Sequence, residues 1–492
     1  MSKIDKFNIP KEVSHVTGEL EKAGFEAYIV GGCVRDLLIG KLPKDWDITT
    51  NAKPEEIEKL FENTYYNNDY GTVGVVNDDT DDETLKVVEV TPYRLESEYS
   101  DARRPDSVEF SNSIEHDLKR RDFTINAIAY NESKGQIVDL HNGQKDIEDK
   151  VIRAIGDPDV RFGEDALRIL RAIRISAELG FKIEENTKKS IKKDAKMLEK
   201  IAKERIRDEF IRIIMSNSPM EALELAHEME VLQFVVPELE EGIDAKQNQA
   251  HAFTVWEHNL RSVKHSAEKG WSLEIRLSAL FHDIAKPATS RWSEEKKDWT
   301  FHGHDVVGGR MTKKILERLK FPKKQTDKIV KLVRWHLFFS DPEQITLSAV
   351  RRMVKNVGEE NIWHLMDVRE SDRIGMGRPK ANPYRLRKYR SMVEEALRDP
   401  VSVTMLKIDG ARIMDVTHET PGPKIGFILH ALLEEVLDDP KLNTAEYLEE
   451  KAQELIKLSE EELKRLGDKG KDKKEEVDEK EIAGLRGKHW VQ

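Results

Sequence analysis

The chain has 492 residues, with 93 Asp and Glu against 81 Lys and Arg, a formal net charge of −12 and 38% hydrophobic residues. That length allows two to four domains. The sequence has no run of about 18 uncharged apolar residues, which argues against a membrane-spanning helix. Its start, MSKIDKFNIPKEV, has no apolar signal core, so a cytoplasmic setting is expected. A single cysteine, Cys33, excludes an internal disulfide framework and a Cys-rich zinc site.

Residues 11–24 have the spacing of an amphipathic helix closed by Gly24. AYIVGG (27–32), DWDIT (45–49), GTVGVV (71–76), TLKVVEVTPY (84–93) and SVEF (107–110) are predicted strands, and PEEIEKLF (54–61) a helix with Pro in its first turn. The mixture predicts an α+β arrangement in which a small mixed sheet fills residues 1–155. From residue 156 onward the apolar spacing is helical. A Glu-, Gly- and Asn-rich break at 238–249 reads as a linker between helical blocks 156–237 and 250–375, and a third block covers 376–466. The mixed-charge run from 467 to 492 has little to bury and is predicted to be a disordered tail.

IVGGCVRD (29–36) sets Gly31 and Gly32 between a strand and a helix. Glycines permit close backbone approach to a phosphate, and Arg35 adds a charge-assisted contact. In KDWDITT, Asp45 and Asp47 alternate on a strand and share a face. Two carboxylates at that spacing can hold one or two hard cations beside a reacting phosphate. Glu89 is a candidate third catalytic carboxylate, with a surface strand-face Glu as the alternative. NDDTDDE (77–83) lacks the spacing and glycine of a calcium loop and reads as a solvated hairpin turn.

KRRDFTINAIAY (119–130) reads as a helix that brings Asp122 and Asn126 to one face, suited to ribose hydroxyls, with Arg121 suited to a triphosphate. RFGEDALRILRAIRISAELGF (161–181) reads as one helix carrying Asp165 and Arg168 at i, i+3, continued by Arg171 and Arg174. An acidic group beside a guanidinium fork offers the acceptors and donors that a base edge needs.

GGCVRD, DWDITT, EYSDARRPDSVEF, RRDFTINA, VDLHNG, EDALRILRAIR and ERIRDEF occur in an order that resembles the class II tRNA nucleotidyltransferase and bacterial poly(A) polymerase family. The resemblance is close over residues 20–215. It implies a polymerase-β-like palm followed by an all-α neck, body and tail. Magnesium would sit on Asp45 and Asp47, the triphosphate near Gly32 and Arg35, and phosphate and ribose contacts on Arg121, Asp122 and Asn126. The incoming base would meet Asp165 and Arg168, supported by Arg171 and Arg174. The substrates implied are tRNA, ATP and CTP, with CCA added without a nucleic-acid template. YGTVGVV (70–76) resembles the CCA-adding branch, and RLESEYSDARRPDSV (94–108) resembles the loop needed for the terminal A. Full CCA addition is thus expected first and addition of A alone second.

The second half concentrates histidines. His258, the His282–Asp283 pair, His304, His336 and Asp372 suit a divalent transition metal, and an adjacent His–Asp pair at the end of an apolar helix is poor for packing alone. Their order resembles the HD phosphohydrolase superfamily. His258, His282, Asp283 and Asp372 are the first candidate ligands, with His304 and His336 following and His302 incidental. Ala285 stands where that superfamily usually has Gly. A phosphohydrolase is the alternative function from another class, and a noncatalytic RNA-binding protein the third.

Two basic stretches are candidate RNA surfaces. One spans 188–212 and includes Lys192, Lys193 and Arg205. The other, RPKANPYRLRKYR (378–390), combines Arg385, Arg387 and Lys388 with Tyr384 and Tyr389 for stacking.

Overall fold

The computed structural model describes residues 7–66, 71–96, 108–248, 252–338, 345–398 and 402–491. It divides into two compact units. The first comprises Met1–His336 with Asp367–Arg378, the second Leu337–Met366 with Pro379–Gln492. Most of the segment that resembles the A-adding loop, residues 97–107, lies outside the described residues.

The first unit opens with helix Lys11–Lys22, whose Val13, Val16 and Leu20 recur at helical spacing and are buried. Nine strands follow in the head: β1 Ala27–Val30, β2 Trp46–Thr50, β3 Thr64–Tyr66, β4 Val73–Val76, β5 Val87–Pro92, β6 Arg94–Glu96, β7 Val108–Phe110, β8 Ile128–Asn131 and β9 Gln136–Asp139. Seven form one sheet in the order β3-β4-β5-β2-β1-β8-β9, and β6 pairs with β7 apart from it. The β2–β5 pair is parallel and its neighbours are antiparallel. Alternation explains the two faces. Val88 and Val90 of β5, with Ile48 of β2 and Val73 and Val75 of β4, point into the core, while Asp47 and Glu89 take the opposite face.

Three sequence expectations need correction. The stretch 119–130 is not a helix. A short helix, Ile114–Lys119, ends there, Thr124–Asn126 makes a single 3-10 turn, and the apolar residues after it form β8 against β1. Pairing on both sides, to β1 and β9, overrides a local pattern that fits a helix equally well. The stretch 161–181 is two helices, Pro158–Glu164 and Leu167–Leu179, broken at Asp165. Asp165 is extended, with φ −147° and ψ 102°, and its carboxylate accepts from the backbone N–H of Leu167 at 3.1 Å. A short acidic side chain that caps the following turn competes with a continuous helix.

The third correction is the tail. Glu460–Lys488 is one helix, started by a capping box between Ser459 and Glu462. Its Leu463, Gly467 and Gly470 are buried, and Gly467 and Gly470 lie against helix Pro423–Asp438. A Cβ added at Gly467 would fall 2.7 Å from Phe427 Cα, and one at Gly470 would fall 2.1 Å from the His430 carbonyl oxygen. Ion pairs Lys469–Glu434 at 2.7 Å and Lys473–Asp438 at 2.8 Å flank the contact. The charge that suggested disorder lies along the edges of a glycine seam. No helix among the described residues is long and apolar enough to cross a membrane.

Candidate functional site

A cavity of about 820 Å³ opens on the polar face of the head sheet. All thirteen residues proposed for catalysis and nucleotide binding line it, from Gly31 and Asp45 to Arg174. Its floor is β2 and β5, where Asp47 and Glu89 stand directly opposite one another. Asp45 precedes β2, is exposed, and adds its negative field to Asp47. Burial raises the Asp47 pKa, opposed by Arg121 and reinforced by Asp45. A cation beside these oxygens would relieve that penalty, and an all-carboxylate donor set fits a hard divalent ion.

Gly31 caps the turn after β1 with φ +88°, a conformation that favours glycine. A Cβ there would also come within 3.1 Å of Arg121 Nη1. Arg35, on helix Gly32–Leu38, donates to Asn126 Oδ1 at 2.7 Å and to Asp36. The loss of the expected helix therefore does not scatter the group. The 3-10 turn holds Asn126 at Arg35, and Asn126 donates to Asp122 at 3.4 Å.

Asp122 and Arg171 form an ion pair at 2.7 Å between the head and the helix Leu167–Leu179. Burial opposes the charge on Asp122, but Arg171 and then Arg168 outweigh it and draw the carboxyl down to about 2. Arg168 donates to Glu164 and to the carbonyls of Arg161 and Arg120. Asp165 pairs with Arg205 at 2.7 Å, and Arg174 with Glu209 at 2.8 Å. The base-edge candidates are each held by a different partner, with both side chains at the cavity wall.

Arg205 lines this cavity, and Arg212 joins it from the same helix, Lys203–Met215. They are seven apart, a spacing that returns to one helical face and was a signal available in the sequence. Asp117 was missed. It is buried and binds Arg120 and also Arg121, the latter at 3.0 Å, fixing the guanidinium beside Asp47. Lys44 and Tyr65 likewise reach the cavity without having been singled out.

A second cluster lies among the histidines of the first unit. His258 Nε2 is 2.9 Å from His282 Nε2, 3.1 Å from Asp283 Oδ2 and 3.4 Å from Asp372 Oδ1. The other oxygen of Asp283 lies 3.3 Å from His304 Nε2 and 3.6 Å from His336 Nε2. Two groups of potential ligands thus share Asp283: His258, His282, Asp283 and Asp372, and Asp283, His304 and His336. The Nδ1 atoms of His282, His304 and His336 each face a backbone carbonyl three residues back, at 2.8, 2.6 and 2.7 Å. An Nδ1–H donated there turns Nε2 toward the carboxylates, where it would bind a metal once free of its own proton. The donor set of imidazole and carboxylate fits a divalent transition metal. Burial works against a charged His282, but Asp283 and Asp372 outweigh it and push it up to about 10. Lys286 Nζ lies 2.6 Å from Asp283 Oδ2, and Ala285 packs into the fold fully buried. Asp372 reaches the cluster because Gly375 lets its helix close on His258. A Cβ at Gly375 would meet Ser262 Oγ at 2.1 Å and His258 Nδ1 at 3.0 Å.

Lys192 faces Glu230 at 3.5 Å and Lys193 faces Asp159. In the second unit, Arg385, Arg387 and Lys388 lie on helix Tyr384–Leu397. Tyr384 is exposed beneath Lys388, whereas Tyr389 is buried against Phe338 and is unavailable for stacking.

Three families match this chain in sequence. The Poly A polymerase head domain covers residues 27–153, the probable RNA and SrmB-binding site of polymerase A residues 180–243, and the HD domain residues 255–375. A CCA-adding enzyme of Leuconostoc mesenteroides is 45% identical over 51% of this chain and 63% of its own length. One of Ligilactobacillus salivarius is 48% identical over 44% of this chain and 53% of its own length. The matched region therefore spans less than two thirds of either relative. Among solved structures, the CCA-adding enzyme of Bacillus stearothermophilus in complex with CTP superposes with a TM-score of 0.59. It is 26% identical, over 91% of this chain and 98% of that one.

Proposed function

We propose that the chain is a class II CCA-adding and poly(A) polymerase family member joined to an HD domain, and that it adds C, C and A to the 3′ end of tRNA from CTP and ATP. The observation that carries the reading is the convergence of the Asp45, Asp47 and Glu89 carboxylates with the Gly31–Arg35 turn in one cavity. The RNA 3′-hydroxyl attacks the α-phosphate of the nucleotide, a new phosphodiester forms, and pyrophosphate leaves. Magnesium held by Asp45, Asp47 and Glu89 would activate that hydroxyl and neutralise the phosphate oxygens.

The protein residues do the positioning. Arg35 and Arg121 lie beside the turn where a triphosphate would rest, and Arg121 is steadied by Asp117. Asn126 and Asp122 offer an amide and a carboxylate to a ribose. Asp165 and Arg168 present an acceptor and a donor fork to a base edge, each anchored so that its orientation survives without a template strand.

In this reading residues 1–155 are the head, 156–237 the neck, 250–375 the HD domain and 376–466 the body, in a cytoplasmic setting. The decisive experiment uses tRNA ending before CCA, after C and after CC, each with CTP, ATP or both, resolved at single-nucleotide length. Growth of all three to CCA is expected. Extension of the CC-ended tRNA alone, by one A, would make this an A-adding enzyme.

A second reading applies to the HD domain. Four buried candidate ligands around His258, with Asp283 shared by a second group, support a metal-dependent phosphohydrolase. Phosphate release that persists in an Asp47→Ala variant and needs added metal would establish it.

A further inference from the structure

The side chains on the cavity floor form a row across four strands. Tyr65 of β3 is opposite Gly74 of β4, Gly74 is opposite Glu89 of β5, and Glu89 is opposite Asp47 of β2. Register partners on adjacent strands point to the same face, so Tyr65 shares the face of the two carboxylates. Two strand spacings separate it from Glu89, roughly 10 Å, comparable to the span of one nucleotide.

The ring lies down on Gly74. A Cβ at Gly74 would come within 2.6 Å of Tyr65 Cζ, so the absence of a side chain there makes room for the phenol. Tyr65 is nevertheless 43% exposed and lines the same cavity as Asp47. An aromatic side chain that crosses a glycine beside a polar cavity and keeps 43% of its surface exposed offers a π-surface on which a base can stack.

The sheet order says which substrate it faces. The phosphate and ribose candidates, Gly31, Arg35 and Asn126, come from β1, from the helix after it and from the turn before β8. They lie on one side of Asp47. Tyr65 lies on the other side, beyond Glu89, at the β3 edge. A nucleotide held at the Gly31 turn therefore leaves the Tyr65 side to the group that attacks it.

We propose that Tyr65 is the stacking platform for the 3′-terminal base of the acceptor RNA, placing its hydroxyl over the Asp47–Glu89 pair. This rests on the polymerase reading of the cavity. A base selected by stacking alone is read loosely, because every base offers a π-face, and such tolerance suits an acceptor whose last base changes after each addition.

The test uses the full chain, CTP, and an acceptor-stem RNA hairpin with 2-aminopurine as its 3′-terminal base. Four variants are compared: Tyr65→Ala, Tyr65→Phe, Tyr65→Leu and Gly74→Val. In the wild type, stacking on Tyr65 quenches the 2-aminopurine on binding. Tyr65→Ala should raise the KM for RNA about tenfold, leave the KM for CTP unchanged, and relieve the quenching. Tyr65→Phe should restore both. Tyr65→Leu, which covers Gly74 without a π-face, should stay defective, and Gly74→Val should reproduce Tyr65→Ala by displacing the ring. Unchanged quenching and RNA KM in Tyr65→Ala, or a parallel rise in CTP KM, overturns the proposal. Because quenching needs no chemistry, a wild type that quenches yet adds no nucleotide would sink the polymerase reading and leave the platform standing. A wild type that adds nucleotides with Tyr65→Ala unaffected would sink the platform alone.

Discussion

Asp47 and Glu89 face each other across the β2–β5 pair, the one parallel pair in the seven-stranded sheet among the described residues. Parallel strands need a crossover between them, and here it carries a helix, Pro54–Leu60, with strands β3 and β4. That detour sets a residue from the middle of a late strand beside the residue two places after Asp45. Glu89→Gln should therefore behave as Asp47→Asn does, with a loss of more than about a hundredfold in kcat, because each removes a charge from a site that neutralises a reacting phosphate. Primer-extension rates check this, with circular dichroism confirming the fold. A Glu89→Gln enzyme within about twofold of wild type would return Glu89 to the status of a surface side chain.

Asp165 is gripped by Arg205, not by Arg168. Arg205→Ala frees the carboxylate to rotate while leaving both base-edge candidates in place. The expected outcome is a shift in the ratio of CTP to ATP incorporation of about tenfold, since two charge-assisted hydrogen bonds no longer fix the acceptor. Uniform loss of binding to tRNA with an unchanged nucleotide ratio would instead assign Arg205 to the RNA backbone.

The Asp122–Arg171 pair makes stability depend on pH. The carboxyl falls from 3.8 to about 2 in the folded protein. A lowered folded-state pKa contributes stability above the unfolded value and loses it as pH falls through the folded value. The contribution is complete above about pH 4 and gone near pH 2, and is of order 2 kcal/mol. Melting curves of wild type and Asp122→Asn should differ most above that window and converge below it. A difference independent of pH would show that the pair contributes through packing alone.

Gly375→Ala should loosen the HD cluster without touching a candidate ligand, because the added methyl meets Ser262 Oγ and His258. Divalent-metal affinity, measured by calorimetry with manganese or cobalt, should fall at least tenfold, with CCA addition unchanged. Equal affinity in the two proteins would mean that the helix yields without moving Asp372.

Gly470→Val places a branched side chain where a Cβ already lies 2.1 Å from the His430 carbonyl oxygen. It should detach the last helix and expose it to proteolysis, with the first unit's melting transition unaffected. A resistant terminal helix would count against the glycine seam as its anchor.

Much of the head was legible because its chemistry is local. Gly31, Arg35, Asp45 and Asp47 lie within one strand–turn–helix–strand stretch, and period-two alternation places Asp47 opposite the core face, with Asp45 just before the strand. The partners of Asp122 and Asp165 were not legible, since Arg171 and Arg205 come from 49 and 40 residues downstream. Helical spacing misled at 119–130, where a central strand took over an apolar run with both periods. It misled again at Asp165, whose capping hydrogen bond breaks the helix. In the tail, charge content outweighed two glycines spaced three apart, and their role appears only against Phe427 and His430. The place of Tyr65 in the cavity was invisible for a related reason: it depends on pairing with Gly74, and register is not written in either strand by itself.

Asp283 lends one oxygen to the His258 group and the other to the His304 and His336 group. Two ions placed there would divide the charge of Asp283 between them, while Asp372 serves the His258 group alone. The first would take most of its neutralising power, and the second would arrive against a nearby like charge with less left to attract it. Loading is then stepwise, with a tight and a weak occupancy, and the weaker ion is the more easily exchanged with the surrounding solution. The HD domain of this chain would thus respond to the free metal concentration in two separate ranges, full at one and half-filled at the other.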